Sequence, residues 1–221
     1  MLPEDDDQPL GRRNSEATLA RLLDAMIEHP ERQAELAAEL EDIFGETRAP
    51  LVLDMCGFSR TTRRHGIATF LLMIRRMRRV VAPAVEAAGG IVVKGEADNL
   101  YCLFDDAPAA VIAARDIMDR LDAANAQLPE AQRLYAAIGI GYGAILNIAG
   151  EDLFGDEVNL ASKLGEDIAE RGEILLTKAA HERLEEGLHA TRPESVAVAG
   201  LQLDYHALTA SHDLAPGGPP L

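Results

Sequence analysis

The segment from Asp152 to Lys163, DLFGDEVNLASK, contains the side chains that are best suited to ligand binding or catalysis in this chain. It combines an acid, a Gly-Asp turn and a predicted helix start, with Asn159 and Lys163 four residues apart. Side chains at this spacing lie on the same side of a helix. An amide and a cation presented together suit a ligand that is rich in phosphate. The spacing therefore predicts a phosphate-facing pair on one helix.

Two carboxylates upstream, Asp54 and Asp98, each stand beside an apolar run of strand length. A single aspartate at a strand end is more often a turn former or a helix cap than a ligand. Two aspartates at neighbouring strand ends can hold one or two Mg²⁺ or Mn²⁺ ions, which prefer hard oxygen ligands and keep waters and substrate phosphates. The turn after Asp54 contains Cys56, Gly57 and Phe58 and leads into a predicted helix whose free N–H groups can bind phosphate.

Composition excludes several classes of protein. The 221 residues are 48% hydrophobic, which suffices for one domain core and a modest extension. The formal net charge of −16 argues against binding to nucleic acid or to an anionic membrane surface. With an anionic nucleotide as ligand, this charge makes a metal ion nearly obligatory. No stretch reaches the ~20 apolar residues of a membrane span, and the acidic N-terminus does not resemble a signal peptide. Cys56 and Cys102 lie in apolar runs, which predicts reduced, buried thiols in a cytoplasmic protein.

The elements that must position these side chains follow from hydrophobic periodicity. In chain order, the predicted elements of the core are strand 50–55, helix 61–88, strands 91–94 and 99–104, helix 108–126 and strand 134–142. This order is the ferredoxin-like βαββαβ plan. We therefore predict an α+β fold for residues 47–210. Its C-terminal extension contains a helix to about Arg171, a strand at 173–176 and a last strand near 201–208.

Residues 14–46 form a predicted N-terminal helical segment. Two apolar stripes run along it, namely Leu19, Leu22, Leu23, Met26 and Ile27, and then Leu36, Leu40, Ile43 and Phe44. One interpretation is a helical hairpin packed on the main domain or on a second copy of it. The other is a regulatory or dimerising element that binds a partner. Residues 1–13 and 211–221 are predicted to be disordered.

Several ordered blocks of this sequence resemble the catalytic domain of class III nucleotidyl cyclases, the adenylate and guanylate cyclases. The blocks are LVLDMCGFS, GGIVVKGEADNLYCLF, IGIGYG and DLFGDEVNLASKL, followed by GEILLT, and they extend over about residues 50–208. The resemblance implies the cyclase fold and a homodimer with the active site between two chains. It also implies conversion of ATP to 3′,5′-cyclic AMP and pyrophosphate with two Mg²⁺ or Mn²⁺ ions per site.

The resemblance also implies a role for individual residues. Asp54 and Asp98 match the metal-binding aspartates of the family. Lys94 matches the lysine that contacts the adenine ring, and Asp152 matches its partner in base selection. Asn159 matches the asparagine that orients the ribose.

The sequence departs from the family at several cationic positions. Lys163 stands where the family has an arginine that stabilises the transition state, so the charge is kept and the bidentate fork is lost. Removing one such donor costs ~10²–10³ in rate, and the retained charge predicts a smaller loss. Ala144 and Ala199 stand where relatives often carry a phosphate-contacting arginine and lysine. A second hypothesis is therefore a catalytically degenerate module that binds nucleotide or a protein partner, and a third is an interaction protein.

Two further departures surround the second metal aspartate. Ala97 replaces a glycine before Asp98, and Glu96 adds a negative charge. A set of arginines after the first strand either compensates for the missing cations or forms a solvated helix face. These are Arg60, Arg63 and Arg64.

Overall fold

A computed structural model of the chain describes residues 14–57, 66–198 and 201–209. The helices are α1 (Glu16–Glu28), α2 (Gln33–Phe44), α3 (Ile67–Ala87), α4 (Ala107–Asn125), α5 (Asp156–Ser162) and α6 (Lys178–His181). The strands are β1 (Gly45–Met55), β2 (Ile91–Glu96), β3 (Asn99–Phe104), β4 (Ala136–Ile140), β5 (Gly143–Ile148), β6 (Asp152–Phe154), β7 (Ile174–Thr177), β8 (Thr191–Val198) and β9 (Leu201–Leu208). Short 3₁₀ turns lie at Pro30–Arg32 and Glu130–Gln132, and a π-helical segment, Lys163–Ile168, continues α5.

The main sheet has the strand order β2-β3-β1-β4-β7-β9-β8. Strand β1 is antiparallel to both β3 and β4, whereas β4 and β7 are parallel. The first four strands of this order, with α3 and α4 as connections, form the ferredoxin-like core. The predicted α+β fold with a C-terminal extension is therefore confirmed.

One face of the sheet packs against α3 and α4 to form the main hydrophobic core. Alternate residues of β1, including Leu51, Leu53 and Met55, point into this core. On α3, Met73 and Met77 are buried one turn apart, as an amphipathic helix requires. Because strand side chains alternate between faces, the intervening residues of β1 project to the opposite side. This alternation places Asp54 outside the hydrophobic core.

Strand β4 is shorter than the predicted strand 134–142. The side chain of Asn125, at the end of α4, accepts a hydrogen bond from Leu134 N and donates one to Leu134 O, both at 2.7 Å. These bonds occupy the backbone groups that a longer strand would use for pairing. Beyond Ile140, the N–H of Gly141 donates to Pro50 O, and the chain turns into β5.

Strands β5, β6 and β8 were not predicted from the sequence, and β1 begins earlier than predicted. Strand β1 starts at Gly45, and residues 45–48 pair with β5 instead of with the main sheet. Strand β6 has three residues, too few for a periodic pattern to be recognised. Strand β8 contains Pro193, a residue that argues against a strand except at an edge, and β8 is an edge strand of the described sheet.

The predicted N-terminal helical hairpin is present and packs against the same chain. Four residues of the hairpin are buried against Ile148 of β5, namely Leu22, Leu36, Leu40 and Phe44. The side chain of Asn14 joins this contact, since its amide donates to Asn147 O at 2.9 Å and its oxygen accepts from Ala149 N at 2.7 Å. Leu23 and Ile27, predicted in the apolar stripe, are instead exposed. No helix in the described ranges is both long and apolar enough to cross a membrane.

Candidate functional site

A glycine-lined face of β4 supports the segment that bears Asn159 and Lys163. A Cβ atom on Gly139 would collide with the carbonyl oxygen of Ala161, and one on Gly165 would lie 2.7 Å from Val52 O. These distances are shorter than any real Cβ contact, so only glycine permits the approach. Helix α5 and the π-helical segment therefore rest directly on the backbones of β1 and β4, on the sheet face that carries Asp54.

Glu157 fastens α5 to this face and was not singled out from the sequence. Its Oε2 accepts hydrogen bonds from Tyr142 N at 2.9 Å and from the Thr177 hydroxyl at 2.8 Å. Its side chain fills the space above Gly141 and Gly143, where a Cβ atom would lie within 3 Å of it. The signal that could have revealed this contact is the alternation of glycines at 139, 141 and 143, which keeps one face of the strand free of side chains.

Asn159 and Lys163 have the relationship that their spacing predicts. The backbone N–H of Lys163 donates to the carbonyl of Asn159, and α5 changes to the π-helical form at this point. Asn159 is exposed. The Lys163 ammonium lies 2.5 Å from Asp167 Oδ2, one turn further along. The predicted helix to about Arg171 therefore ends as an α-helix at Ser162, and single π-helical turns of this kind are frequent at functional sites.

Lys94 of β2 and Asp152 of β6 are brought together by the fold. Lys94 Nζ lies 2.8 Å from Asp152 Oδ1 and 2.5 Å from Glu96 Oε1, and 4.7 Å from the centroid of the Tyr101 ring. Partial burial acts to lower the pKa of the Lys94 ammonium, but the hydrogen bonds that the ammonium donates to Asp152 and Glu96 outweigh this effect. The pKa therefore lies above its ordinary value, and the ammonium stays charged.

Asp54 and Asp98 form the second group. Asp54 is half-buried on β1, directly opposite Asn99, the residue after Asp98. Asp98 itself lies in the β2–β3 turn, immediately before β3. Burial and the charges of Asp98, Glu166 and Asp167 raise the pKa of Asp54 to about 6. Several carboxylates thus lie close enough to the half-buried Asp54 carboxylate to repel its negative charge.

The donor set around Asp54 fits a hard divalent cation. Asn99 Oδ1 is buried and lacks a hydrogen-bond partner, and its side chain lies on the same sheet face as that of Asp54. Carboxylate and amide oxygens are the ligands that Mg²⁺ accepts, with waters and phosphates in the remaining positions. In the described part of the chain, no three His, Cys, Asp or Glu side chains are grouped to hold a metal. Such an ion would thus depend on substrate or water for several ligands.

The β2–β3 turn contains a strained residue. Ala97 has φ +49°, a left-handed conformation that glycine adopts without cost and alanine does not. This is the position at which the sequence replaces a glycine. The strain therefore lies in the turn that presents Asp98.

The turn after β1 is described only as far as Gly57. Cys56 N donates to Tyr135 O at 2.9 Å, and Gly57 has φ +86°. Burial and the charge of Asp54 raise the pKa of the Cys56 thiol to about 11, so it remains protonated, and both cysteines are free. The remaining predicted residues of this region and of the β8–β9 turn lie outside the described residues. They are Phe58, Arg60, Arg63, Arg64 and Ala199.

The two groups stay separate within one chain. No hydrogen bond or ion pair among the described residues joins Lys94 or Asp152 to Asp54 or Asp98. Ala144, on β5, is exposed.

Comparisons with known proteins agree with this architecture. The chain is 32% identical over 142 residues to "Putative adenylate cyclase 3" of Rhizobium meliloti (strain 1021), covering 64% of this chain and 24% of that protein. It is 30% identical over 148 residues to an adenylate cyclase of Streptomyces coelicolor, covering 67% of this chain and 37% of that protein. The chain thus spans well under half the length of these curated relatives. No protein-family model matches it.

A solved structure extends the match to nearly the whole of another chain. The adenylate/guanylate cyclase/hydrolase from Silicibacter pomeroyi is 28% identical, with a TM-score of 0.64, and the match covers 76% of this chain and 98% of that one. Adenylyl and guanylyl cyclase domains below 25% identity share the same fold. The fold, the sequence relatives and the paired acidic and Lys–Asp groups agree, and the chain therefore belongs to the class III nucleotidyl cyclases.

Proposed function

We propose that the chain is an adenylate cyclase that converts ATP to 3′,5′-cyclic AMP and pyrophosphate. The observation that carries the proposal is the 2.8 Å contact between Lys94 Nζ and Asp152 Oδ1. Adenine offers an amino donor next to a ring-nitrogen acceptor, and a carboxylate beside an ammonium matches this pattern. Guanine offers the opposite pattern along the same edge. The free thiols Cys56 and Cys102 favour the predicted cytoplasmic location.

In the proposed reaction the ribose 3′-oxygen attacks the α-phosphorus. The bond from this oxygen to phosphorus forms, the bond to the bridging oxygen breaks, and pyrophosphate leaves with its electron pair while the hydroxyl proton passes to solvent. Mg²⁺ or Mn²⁺ held by Asp54 and Asp98 would lower the pKa of the hydroxyl and neutralise phosphate charge. Asn159 would orient the ribose, and Lys163 would stabilise the charge that develops on the α-phosphoryl oxygens.

We propose that the site is completed in a homodimer. Asp54 and Asp98 of one chain would then act with Lys94, Asp152, Asn159 and Lys163 of the other. The separation of the two groups within one chain supports this arrangement, as does the exposure of Asn159. Leu23 and Ile27 on α1, which remain exposed, would be available for the proposed regulatory contact through the N-terminal helices.

A second candidate function is a degenerate module that binds nucleotide without turnover. The observation that favours it is the internal neutralisation of the site cations. Lys163 is paired with Asp167, and Lys94 is held between Asp152 and Glu96. Each of these pairs would have to rearrange or share its charge when substrate binds.

Incubation of the purified chain with ATP and Mn²⁺, with cyclic AMP as the readout, tests the proposal. We expect product from wild type, none from Asp54→Ala, and less product when GTP replaces ATP. Absence of product above the Asp54→Ala background would overturn the enzyme assignment. In that event, thermal stabilisation by ATP with metal would support the degenerate module, and no stabilisation would support the interaction protein.

A further inference from the structure

Arg171 is a cation to which the proposed chemistry has so far assigned no role. It lies in the turn before β7, and its guanidinium carbon is 2.9 Å from the centroid of the Tyr135 ring. An aromatic face holds a guanidinium by cation–π attraction and leaves its N–H edge able to bind a second group. Within the described ranges, Arg171 forms no ion pair.

Tyr135 lies on the sheet face that carries Asp54. Leu134 and Ala136 point into the hydrophobic core, so the alternation of the strand directs Tyr135 and Ala137 to the other face. Ala137 is the β4 partner of Asp54. Two residues along a strand span about 7 Å, so Tyr135, which holds Arg171, lies one such step along the chain from the β4 partner of Asp54.

The turn that bears Arg171 is fixed to β4 by hydrogen bonds. Gly172 N donates to Ala136 O at 2.8 Å, and Glu173 N donates to Glu170 O at 2.9 Å. The Glu173 carboxylate accepts from Glu170 N at 2.8 Å, so this acid is occupied within the turn. The position of the guanidinium is thereby determined before any ligand arrives, which lowers the entropy cost of binding.

The charge around the site explains why such a cation matters. The chain has a net charge of −16, and Asp54 faces the charges of Asp98, Glu166 and Asp167. Lys94 and Lys163 are already paired with acids. A polyphosphate that approached this face would therefore meet strong repulsion unless an unpaired cation received its outer end.

We propose that Arg171, held on Tyr135, binds the outer phosphates of a nucleoside triphosphate whose inner phosphates lie at Asp54 and Asp98. The proposal rests on the proposed function and adds a substrate-binding residue to it. The guanidinium matches the phosphate oxygens in a bidentate manner. Arg171 would thus supply part of the positive charge that the departures at Lys163 and Ala144 remove.

Inorganic tripolyphosphate with Mn²⁺, titrated calorimetrically into the full chain, tests Arg171 without requiring turnover. We expect Arg171→Gln to weaken tripolyphosphate binding by about tenfold or more. Arg171→Lys should recover part of the loss, and Tyr135→Leu should reproduce a part of it. The matched control is Arg183→Gln, since Arg183 also lies over a tyrosine, Tyr142, at 5.0 Å, and it should bind as wild type does. AMP, which lacks the outer phosphates, should bind equally to all variants.

The outcomes separate this proposal from the enzyme assignment. Equal tripolyphosphate binding by wild type and Arg171→Gln, or no binding by wild type, would overturn the role of Arg171 even if cyclic AMP is formed. Tripolyphosphate binding that depends on Arg171, without formation of cyclic AMP, would support the role of Arg171 and overturn the enzyme assignment instead. Unfolding temperatures of each variant should match wild type, and if Arg171→Gln fails to fold, the Arg171→Lys and Tyr135→Leu comparison decides.

Discussion

The Lys94 ammonium on β2 and the Asp152 carboxylate on β6 lie 2.8 Å apart, although the two strands belong to different hairpins. The pair is accessible, with 22% of the Lys94 side chain and 39% of the Asp152 side chain exposed. A base that docks here would accept from Lys94 and donate to Asp152, so both residues would share their mutual ion pair with it. The proposed recognition of the base would therefore depend on a contact between segments that are far apart in sequence.

Lys94→Gln should reduce selectivity for ATP. Loss of a charged hydrogen-bond donor costs about 1.5–3 kcal/mol, so kcat/KM for ATP should fall by roughly 10- to 100-fold, with a smaller effect on GTP. Parallel cyclic AMP and cyclic GMP assays measure the ratio. Glu96→Gln, which leaves the contact of Lys94 with Asp152 in place, is the control and should keep the ATP preference. An ATP preference unchanged in Lys94→Gln would contradict this assignment.

Lys163→Arg should increase turnover. Arginine restores the planar fork that lysine lacks, and we expect about a tenfold rise in kcat, a fraction of the ~10²–10³ that one transition-state donor contributes. Initial-rate kinetics with Mn²⁺–ATP measure kcat and KM separately. Lys178→Arg, also on a helix and four residues before a glutamate, serves as the control and should leave kcat unchanged. A lower kcat in Lys163→Arg would show that Lys163 is not at the reacting phosphate.

Metal-free protein should lose stability as pH rises through about 6. Burial and neighbouring carboxylates raise the pKa of Asp54 from 3.8 to about 6. A group whose pKa is raised by folding stabilises the protein fully below its unfolded pKa and loses that contribution as pH passes the folded pKa. The unfolding temperature in EDTA should therefore fall between pH 5 and pH 7.

Mn²⁺ should reverse this trend, because a cation bound at Asp54 favours the ionised carboxylate. The rise in unfolding temperature on adding Mn²⁺ should be larger at pH 7.5 than at pH 5. Asp54→Asn should remove most of the pH dependence and of the metal effect, whereas Asp204→Asn, at an exposed position on β9, should keep both. A metal effect of equal size at both pH values would contradict the position of the ion.

Ala97→Gly should stabilise the protein. A left-handed alanine costs about 1–2 kcal/mol, and replacement by glycine removes this strain. Part of the stabilisation is lost again, because glycine increases the conformational entropy of the unfolded chain. We expect a net rise of up to about 1 kcal/mol in the free energy of unfolding, measured by urea denaturation. Ala126→Gly is the matched control, because Ala126 has φ −61° and should be destabilised by the change. Equal effects at both positions would show that strain at Ala97 is unimportant.

Glu157→Ala should destabilise the attachment of α5. The substitution leaves Tyr142 N and the Thr177 hydroxyl without their acceptor, which costs about 1–3 kcal/mol. The unfolding free energy should fall by this amount, and kcat should fall with it because α5 carries Asn159 and Lys163. Glu182→Ala, at an exposed glutamate of a weak surface pair, is the control and should change stability little. Unaltered stability in Glu157→Ala would contradict the anchoring role.

The local patterns of the sequence were sufficient for the α+β core and for several candidate residues. Alternation along β1 separates Leu53 from Asp54, and a spacing of four places Asn159 beside Lys163, because both relationships depend on one element only. Boundaries were less accurate, as in β4, where the side chain of Asn125 ends the strand from outside it. Three-residue β6 has no period to detect.

What the sequence by itself determined is therefore the order of strands and helices, the family resemblance and the chemical types of the candidate residues. Only the tertiary structure decided which of these residues meet. It placed Arg171 on Tyr135 and packed α5 against the glycine-lined face of β4, and it brought Lys94 to 2.8 Å from Asp152, the partner that the family resemblance had implied. The physical reason is that these contacts join segments remote along the chain. Their geometry depends on how closely two backbones approach, which no local period of hydrophobic residues encodes.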